Sequence, residues 1–402
     1  MIRRSTAALL LGTLLALAGC GSRNDHGGTI IYSSSIGKAN TLDLYAAAAD
    51  GSSRRRLTNT PDQCELNPVL TPDQRSFYFY RFACLPGKDT DLSHLELWRM
   101  DIDGSNEIRI AFGAYNHLFP SPDGTHIAMV DRTGALWLRR LDKHRPSVSP
   151  ADKGERVELP RSASIAPAGV SVAWSHDGSR LVFPADILPD SSSPLFSLDL
   201  RTLKVRRLTS PPRWESDLAP RFSPDDRYVA YARLNISFYG VRLLDTKTGH
   251  TIEIAVGNEK KLPMLGDVPW FFSSDGSSLV YRALNLVYDN ATSAVGVYSL
   301  ARHEQRVIGI PPSLFLPQTS PDHTGALLVS PHSAGSHVAA LNVFLVATDL
   351  CEKRMTRLGR LRVSARVNDL ETTQTGPLAV WAQPGPSSSR PAGHCELAKL
   401  LG

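Results

Sequence analysis

Side chains with recognisable chemistry are scattered along this chain of 402 residues, and most of their patterns stop short of a working site. Gly169-Val-Ser-Val-Ala173 has a serine at the centre of a nucleophile elbow, but it ends in alanine and leads into an apolar segment without the strand-to-helix turn that would expose the hydroxyl. His303-Glu304 lacks the second histidine of a zinc-binding His-Glu-x-x-His helix. Asp101-x-Asp103-Gly104-x-Asn106 has the oxygen spacing that begins a calcium loop, without the downstream glutamate, and reads as a hairpin turn. His332 and His337 share one loop with no cysteine, aspartate or glutamate nearby, so they do not read as a metal site. No glycine-rich phosphate loop is present. No catalytic residue, cofactor or metal is assigned on these patterns. One stretch differs in kind: Arg213, Trp214, Glu215 and Asp217 place a guanidinium, an indole and two carboxylates within five residues, the composition of a contact hot spot.

The cysteines divide into one and four. Residues 1–20 have the form of a secretory signal, with basic Arg3 and Arg4, an apolar stretch over residues 7–17 too short to span a bilayer, and small residues at the end. Leu17-Ala18-Gly19-Cys20 looks like a bacterial lipobox, in which the Cys20 thiol takes a diacylglyceryl group and becomes the mature N-terminus. Several acyl chains anchor a protein stably where one chain does not. Gly21 and Ser22 follow, with no retention aspartate, which leans towards the outer membrane; residues 21–28 read as a flexible tether. Cys64, Cys84, Cys351 and Cys395 remain, an even number in an exported chain, which suggests disulfides with three possible pairings; four buried free thiols are the alternative.

The net charge is +5, with 21% charged residues, so no strong affinity for polyanions follows. Arg54-Arg55-Arg56 reads as a solvated strand end, and export makes nucleic acid an unexpected partner. The body is expected to be monomeric.

What must position these residues is a repeat. An apolar strand, a Ser/Thr-Pro-Asp-Gly turn or close variant, and a second apolar strand recur at residues 68–80, 119–129, 172–183, 220–231 and 269–281, with a degenerate copy at 318–329. The turn aspartates Asp73, Asp123, Asp177, Asp225, Asp275 and Asp322 are spaced 50, 54, 48, 50 and 47 residues apart. Between copies lies a second hairpin with Asp-Gly or Thr-Gly turn chemistry, so each unit holds four strands. A period near fifty with four short strands is a propeller signature. At this point the chain resembles the TolB-type propeller repeat over residues 29–383, with Arg56-Leu-Thr58 and Arg207-Leu-Thr209 as its last piece. The resemblance implies an all-β fold, a single propeller of four-stranded blades. It also implies assembly with peptidoglycan-associated components, although the chain has no counterpart of TolB's separate α/β domain, which puts that role in doubt.

The first copy begins at residues 29–32 without an inner strand, and residues 363–370 and 377–381 are left over as spare strands. The mismatch predicts ring closure by strands from both termini, with seven blades, six being the alternative. Tight turns would share one face; the long connections at 83–95, 159–169, 184–194, 210–219, 257–268, 283–295 and 331–340 would share the other, where binding usually resides. The same topology favours Cys64 joined to Cys84, and Cys351 joined to Cys395, the latter stapling a tail at residues 384–402. Trp214 is either a contact residue on the long-loop face or an anchor tucked into a blade edge. The function expected is a non-enzymatic, lipid-anchored cell-envelope protein that binds another protein, or a cell-wall or polysaccharide component, through its long loops. The alternative is a glycan lyase or hydrolase with a site at the tunnel mouth.

Overall fold

A computed structural model describes residues 29–34, 41–48, 53–71, 75–83, 95–112, 115–131, 133–141, 154–160, 163–165, 171–188, 191–234, 239–255, 268–273, 276–287, 290–310, 315–319, 325–334, 337–347, 356–366 and 379–382. Cys20, the tether, Cys84, Cys351, Cys395 and the tail lie outside these residues. The described residues are all-β, with no helix among them. The chain divides into two units, one made of residues 1–113, 147–149 and 313–402, the other of residues 114–146 and 150–312.

In the first unit Gln63–Leu70, Ser76–Ala83, Glu96–Asp101 and Ile108–Phe112 form one antiparallel sheet in chain order, and Phe315–Thr319, Gly325–Ala334, His337–Ala347 and Thr356–Arg366 form another. A third is ordered Arg55–Arg56, Asp43–Ala48, Thr29–Ser34, Ala379–Ala382, so the last described strand supplies the inner strand that the first copy lacks. Its register runs from Thr29 opposite Ala382 to Tyr32 opposite Ala379. Apolar residues of this sheet, Ile31, Leu44 and Ala46, pack with Phe77, Phe79 and Met100 of the sheet that follows it in sequence.

The second unit holds four such sheets. They comprise Tyr115–Pro120 with His126–Asp131, Leu136–Arg140 and Glu155–Arg156; Ala173–Trp174 with Arg180–Pro184, Leu195–Asp199 and Lys204–Arg207; Ser216–Phe222 with Tyr228–Leu234, Tyr239–Asp245 and Thr251–Ala255; and Val268–Phe272 with Ser278–Val287, Asn290–Ser299 and Glu304–Ile310. Sheets consecutive in sequence share apolar clusters. Val130 and Leu138 meet Leu181 and Phe183, Val182 and Leu195 meet Val229 and Tyr231, and Ala230 and Leu243 meet Phe272 and Leu279.

The repeated residues have repeated jobs. In the Ser-Pro-Asp turns the serine hydroxyl donates to the aspartate, at 2.5 Å in Ser121–Asp123, 2.6 Å in Ser175–Asp177 and 2.6 Å in Ser223–Asp225. The aspartate also accepts the backbone N–H two residues on, and the serine oxygen accepts the N–H of the residue that starts the next strand. This is the Asx-type closure that makes the turn independent of the sheet it feeds. In Arg-Leu-Thr the threonine plugs the end of a ladder: Leu44 donates its N–H to Thr58 Oγ1 at 2.8 Å, and Leu195 donates to Thr209 Oγ1 at 2.9 Å.

The fourth copy replaces the turn glycine with Asp226, which keeps the left-handed backbone at φ 56°. That conformation costs a non-glycine residue roughly 1 kcal/mol. The offset is a bond between turns, since Asp226 accepts the backbone N–H groups of His176 at 2.8 Å and Asp177 at 3.2 Å. Proline in the inner strand marks a bulge, because it cannot donate to the ladder. Register shifts fall between Leu66 and Val69, Leu218 and Arg221, Pro269 and Phe271, and Phe315 and Gln318, at Pro68, Pro220, Pro269 and Pro317 respectively.

Two expectations are corrected. Residues 283–295 and 331–340 are not long loops. Ser278–Val287 pairs with Asn290–Ser299 and Gly325–Ala334 with His337–Ala347, each hairpin joined by only two residues, so His332 and His337 stand in strands. Residues 363–366 are not a spare strand but the end of Thr356–Arg366, the fourth strand of its sheet.

The turn carboxylates make a pH prediction. Bonds from the Ser175 hydroxyl and the Ser179 N–H hold Asp177 down at about 2, against an ordinary value of 3.8. A depressed folded value means that the stabilisation is complete above the ordinary value and disappears as pH falls towards about 2. Asp177→Asn is expected to lower Tm at neutral pH and to flatten the acid limb of the Tm profile. Parallel profiles for parent and variant would show that Asp177 does not set that limb.

Candidate functional site

The second unit contains a web of hydrogen-bonded connections. Residues Ala163–Ser164, in the connection leading out of the sheet that begins at Tyr115, pair with Asp186–Ile187 in the connection between the second and third strands of the next sheet. Ile165 donates its N–H to the Gly134 carbonyl at 3.1 Å. A Cβ on Gly134 would come within 2.3 Å of the Ile165 oxygen, so the close approach requires glycine.

The connection from 185 to 194 is then tied to the one from 210 to 217. Ser193 and Ser216 form a parallel bridge, with Ser193 N–H donating to the Glu215 carbonyl at 3.1 Å and Asp217 N–H donating to the Ser193 carbonyl at 2.8 Å. Ser216 Oγ donates to Ser193 Oγ at 3.0 Å, and Ser193 Oγ donates in turn to Asp186. Ala219, at φ 51°, donates its N–H to Ser171 Oγ at 2.8 Å just before the Pro220 bulge. Loops that bond to one another in this way hold their exposed side chains in fixed positions.

Beneath the web lies an ion pair. Arg233 donates through Nε and Nη2 to the two oxygens of Asp217, at 2.6 and 2.8 Å, with Asp217 fully buried. Glu215 approaches the same guanidinium at 3.9 Å. Burial works against the Arg233 charge, but the bonds and charge of Asp217 outweigh it and raise its pKa above the ordinary arginine value. The first unit repeats the device, with Glu65 fully buried, bonded to Arg81 Nε at 2.8 Å and to the hydroxyls of Thr58 and Thr60. Burial pushes the Glu65 carboxyl up even so.

Above the web, Trp214 is 57% exposed and Leu188 63% exposed, large values for apolar side chains. Trp214 has φ 68°, an outlier for a bulky residue, in a turn closed by Glu215 N–H donating to the Pro212 carbonyl at 3.1 Å. The Arg213 guanidinium carbon stands 5.0 Å from the indole centroid, within cation–π range.

Of the four residues singled out in sequence, Arg213 and Trp214 are exposed together, Glu215 is half-buried, and Asp217 is internal. Trp214 is not tucked into a sheet edge. Arg233, Ser193 and Leu188 were not singled out. A signal for Arg233 existed, because Asp217 and Arg233 lie eight residues before and after the turn aspartate Asp225, as Glu65 and Arg81 do around Asp73. Cys64 is buried beside Glu65. Among the described residues no group of three or more His, Cys, Asp or Glu could hold a metal ion.

No family model matches the chain, and no curated protein is similar to it. Solved structures are similar in fold. A prolyl endopeptidase matches with TM-score 0.58 and 12% identity, over 84% of this chain and 49% of its own length. Oligogalacturonate lyase from Vibrio parahaemolyticus matches with TM-score 0.56 and 14% identity, over 83% and 86%. TolB from Acinetobacter baumannii is also similar, with TM-score 0.45 and 13% identity, over 88% of this chain and 66% of that one. The first two, both propeller folds, support an all-β, propeller-like fold and carry nothing about activity.

The buried pair makes a stability prediction. Asp217→Ala should lower the unfolding free energy by roughly 3 kcal/mol, because it strands a buried guanidinium. Asp217→Leu combined with Arg233→Met should recover most of that loss. Denaturant melts with unchanged slope would measure both; a double variant as unstable as the single one would count against the pair as the cause.

Proposed function

We propose that this chain is a lipid-anchored protein of the bacterial cell envelope, tethered through Cys20, whose propeller binds a protein or cell-wall partner through the bonded connections of the second unit. The observation that carries this reading is Trp214, an exposed indole in a left-handed backbone with Arg213 against it, fixed on a web that ties three connections together. Strain and exposure of a large apolar side chain are both costs to the free protein, and binding is the usual compensation. Tryptophan and arginine are also the side chains that dominate contact energies. The role is binding, not catalysis. The proposed arrangement is a seven-bladed ring, built from the seven four-stranded sheets among the described residues and closed in the sheet that contains both ends. The proposed location is the outer membrane, with the body monomeric.

Capture from solubilised envelopes tests the reading. The tagged chain should recover a specific envelope component, and Trp214→Ala should cut that recovery by about thirtyfold, the effect of a hot spot worth about 2 kcal/mol. Equal recovery by the folded variant would remove this face from the function.

The proposed disulfides are Cys64 with Cys84 and Cys351 with Cys395. Peptide mapping under non-reducing conditions should yield the Cys64–Cys84 peptide; Cys64 joined to Cys351 would overturn the pairing.

A further inference from the structure

We propose that Tyr32, Tyr45 and Arg54, in the sheet that joins the first and last described strands, form a binding site for a carboxylate. The site lies in the first unit and is independent of the Trp214 face.

Tyr32 and Tyr45 are register partners on adjacent strands, so their side chains leave the same face of the sheet. Their rings lie 5.8 Å apart at 29°, and the residues are 0% and 2% exposed. Among the described residues neither hydroxyl has an acceptor for its proton, and the Arg54 guanidinium, itself a donor, is the group that approaches both. Other tyrosine hydroxyls in this chain are engaged: Tyr281 Oη donates to Gln305 at 3.0 Å, and Tyr298 Oη bonds His303 Nδ1 at 2.8 Å. Two adjacent orphaned hydroxyls are an anomaly, because phenylalanine would fill the same volume without leaving a buried donor unpaired.

Arg54 supplies the charge. Its guanidinium carbon stands 4.4 Å from the Tyr45 ring centroid, and its charge reaches both hydroxyls. The two arginines that follow are already used. Arg55 donates to the carbonyls of Ile102 and Asp103, and Arg56 pairs with Asp43 at 2.6 Å. Arg54 is exposed and forms no ion pair with a carboxylate among the described residues. It precedes the edge strand Arg55–Arg56, while Tyr45 and Tyr32 lie on successively more interior strands, so the donors run from the rim of the sheet inward. Burial raises the Tyr32 pKa to about 12, so its proton stays on and the hydroxyl remains a donor.

Two O–H groups free to donate and one guanidinium, with no anion among them, make a receptor for an oxyanion. One positive charge matches a monoanion. A planar carboxylate accepts the guanidinium fork through both oxygens and keeps lone pairs for the phenols. A phosphate dianion would bring in a second negative charge that nothing here balances. The carboxylate could belong to a free small acid, a peptide or a uronic acid, which share the group recognised.

Acetate and inorganic phosphate, each at ionic strength matched with sodium chloride, are the probes. Acetate should raise the Tm of the full chain above that in chloride. Tyr32→Phe and Tyr45→Phe should each be at least as stable as the parent in chloride and lose the acetate response. Arg54→Gln should keep the parent Tm in chloride and bind acetate about tenfold more weakly in calorimetric titration. Phenylalanine variants less stable than the parent in chloride would mean that the hydroxyls are satisfied by internal water, and would overturn the site. So would an equal acetate response in the variants, the absence of any acetate response in the parent, or a phosphate response as large as that to acetate.

Discussion

The second strand of a sheet in this protein is buried on both faces. In His126–Asp131 the four central residues Ile127, Ala128, Met129 and Val130 are all fully buried, and Arg180–Pro184 and Tyr228–Leu234 show the same run. A strand of that kind cannot alternate polar with apolar side chains, and it is soluble only when a neighbouring sheet covers each side. The features that recur around it follow from this constraint. Turns close on their own side chains, threonines seal ladder ends, and prolines bulge the first strand where the chain must leave the packed region. Charged groups that enter the packed region arrive already paired, as Glu65 does with Arg81 and Asp217 with Arg233.

The constraint also explains what could be read in the sequence. A strand buried on both faces leaves a continuous apolar run, and a self-closing turn leaves Ser-Pro-Asp, so the repeat and the four-stranded unit were legible before any coordinates. The hairpins at 278–299 and 325–347 were not, because Asn285, Asn290 and Pro331 carry turn chemistry that strand pairing overrides. Trp214 was legible by type but not by exposure. Its left-handed backbone arises from the turn after Pro212, and nothing in residue identity reports that angle. Asp217 looked like part of the same cluster because it is close in sequence. The bulge at Pro220 and the partner strand carrying Arg233 turn it inward instead.

The two arrangements of arginine in the site differ in consequence. Arg233 is held by two bonds to one carboxylate and acts as an internal strut. Arg213 is exposed and lies against the indole of Trp214. A guanidinium stacked on an aromatic ring loses conformational freedom before any partner arrives, so less entropy is lost on contact. Internal pairing below and preorganised stacking above separate stability from recognition at the scale of a few residues.

Thr29–Ser34 hydrogen-bonds to Ala379–Ala382, which joins opposite ends of the described chain in one sheet. During synthesis that sheet has a vacancy beside Thr29–Ser34, whose unpaired edge is open until Ala379–Ala382 emerges. Everything between the two strands must therefore be assembled, or at least kept from aggregating, while the vacancy persists. A ribosome that stalls a few dozen codons early would release a chain with nearly all its sheets and one sticky edge. That makes the window before completion the most hazardous interval in the life of the chain, and the natural point for a chaperone to act.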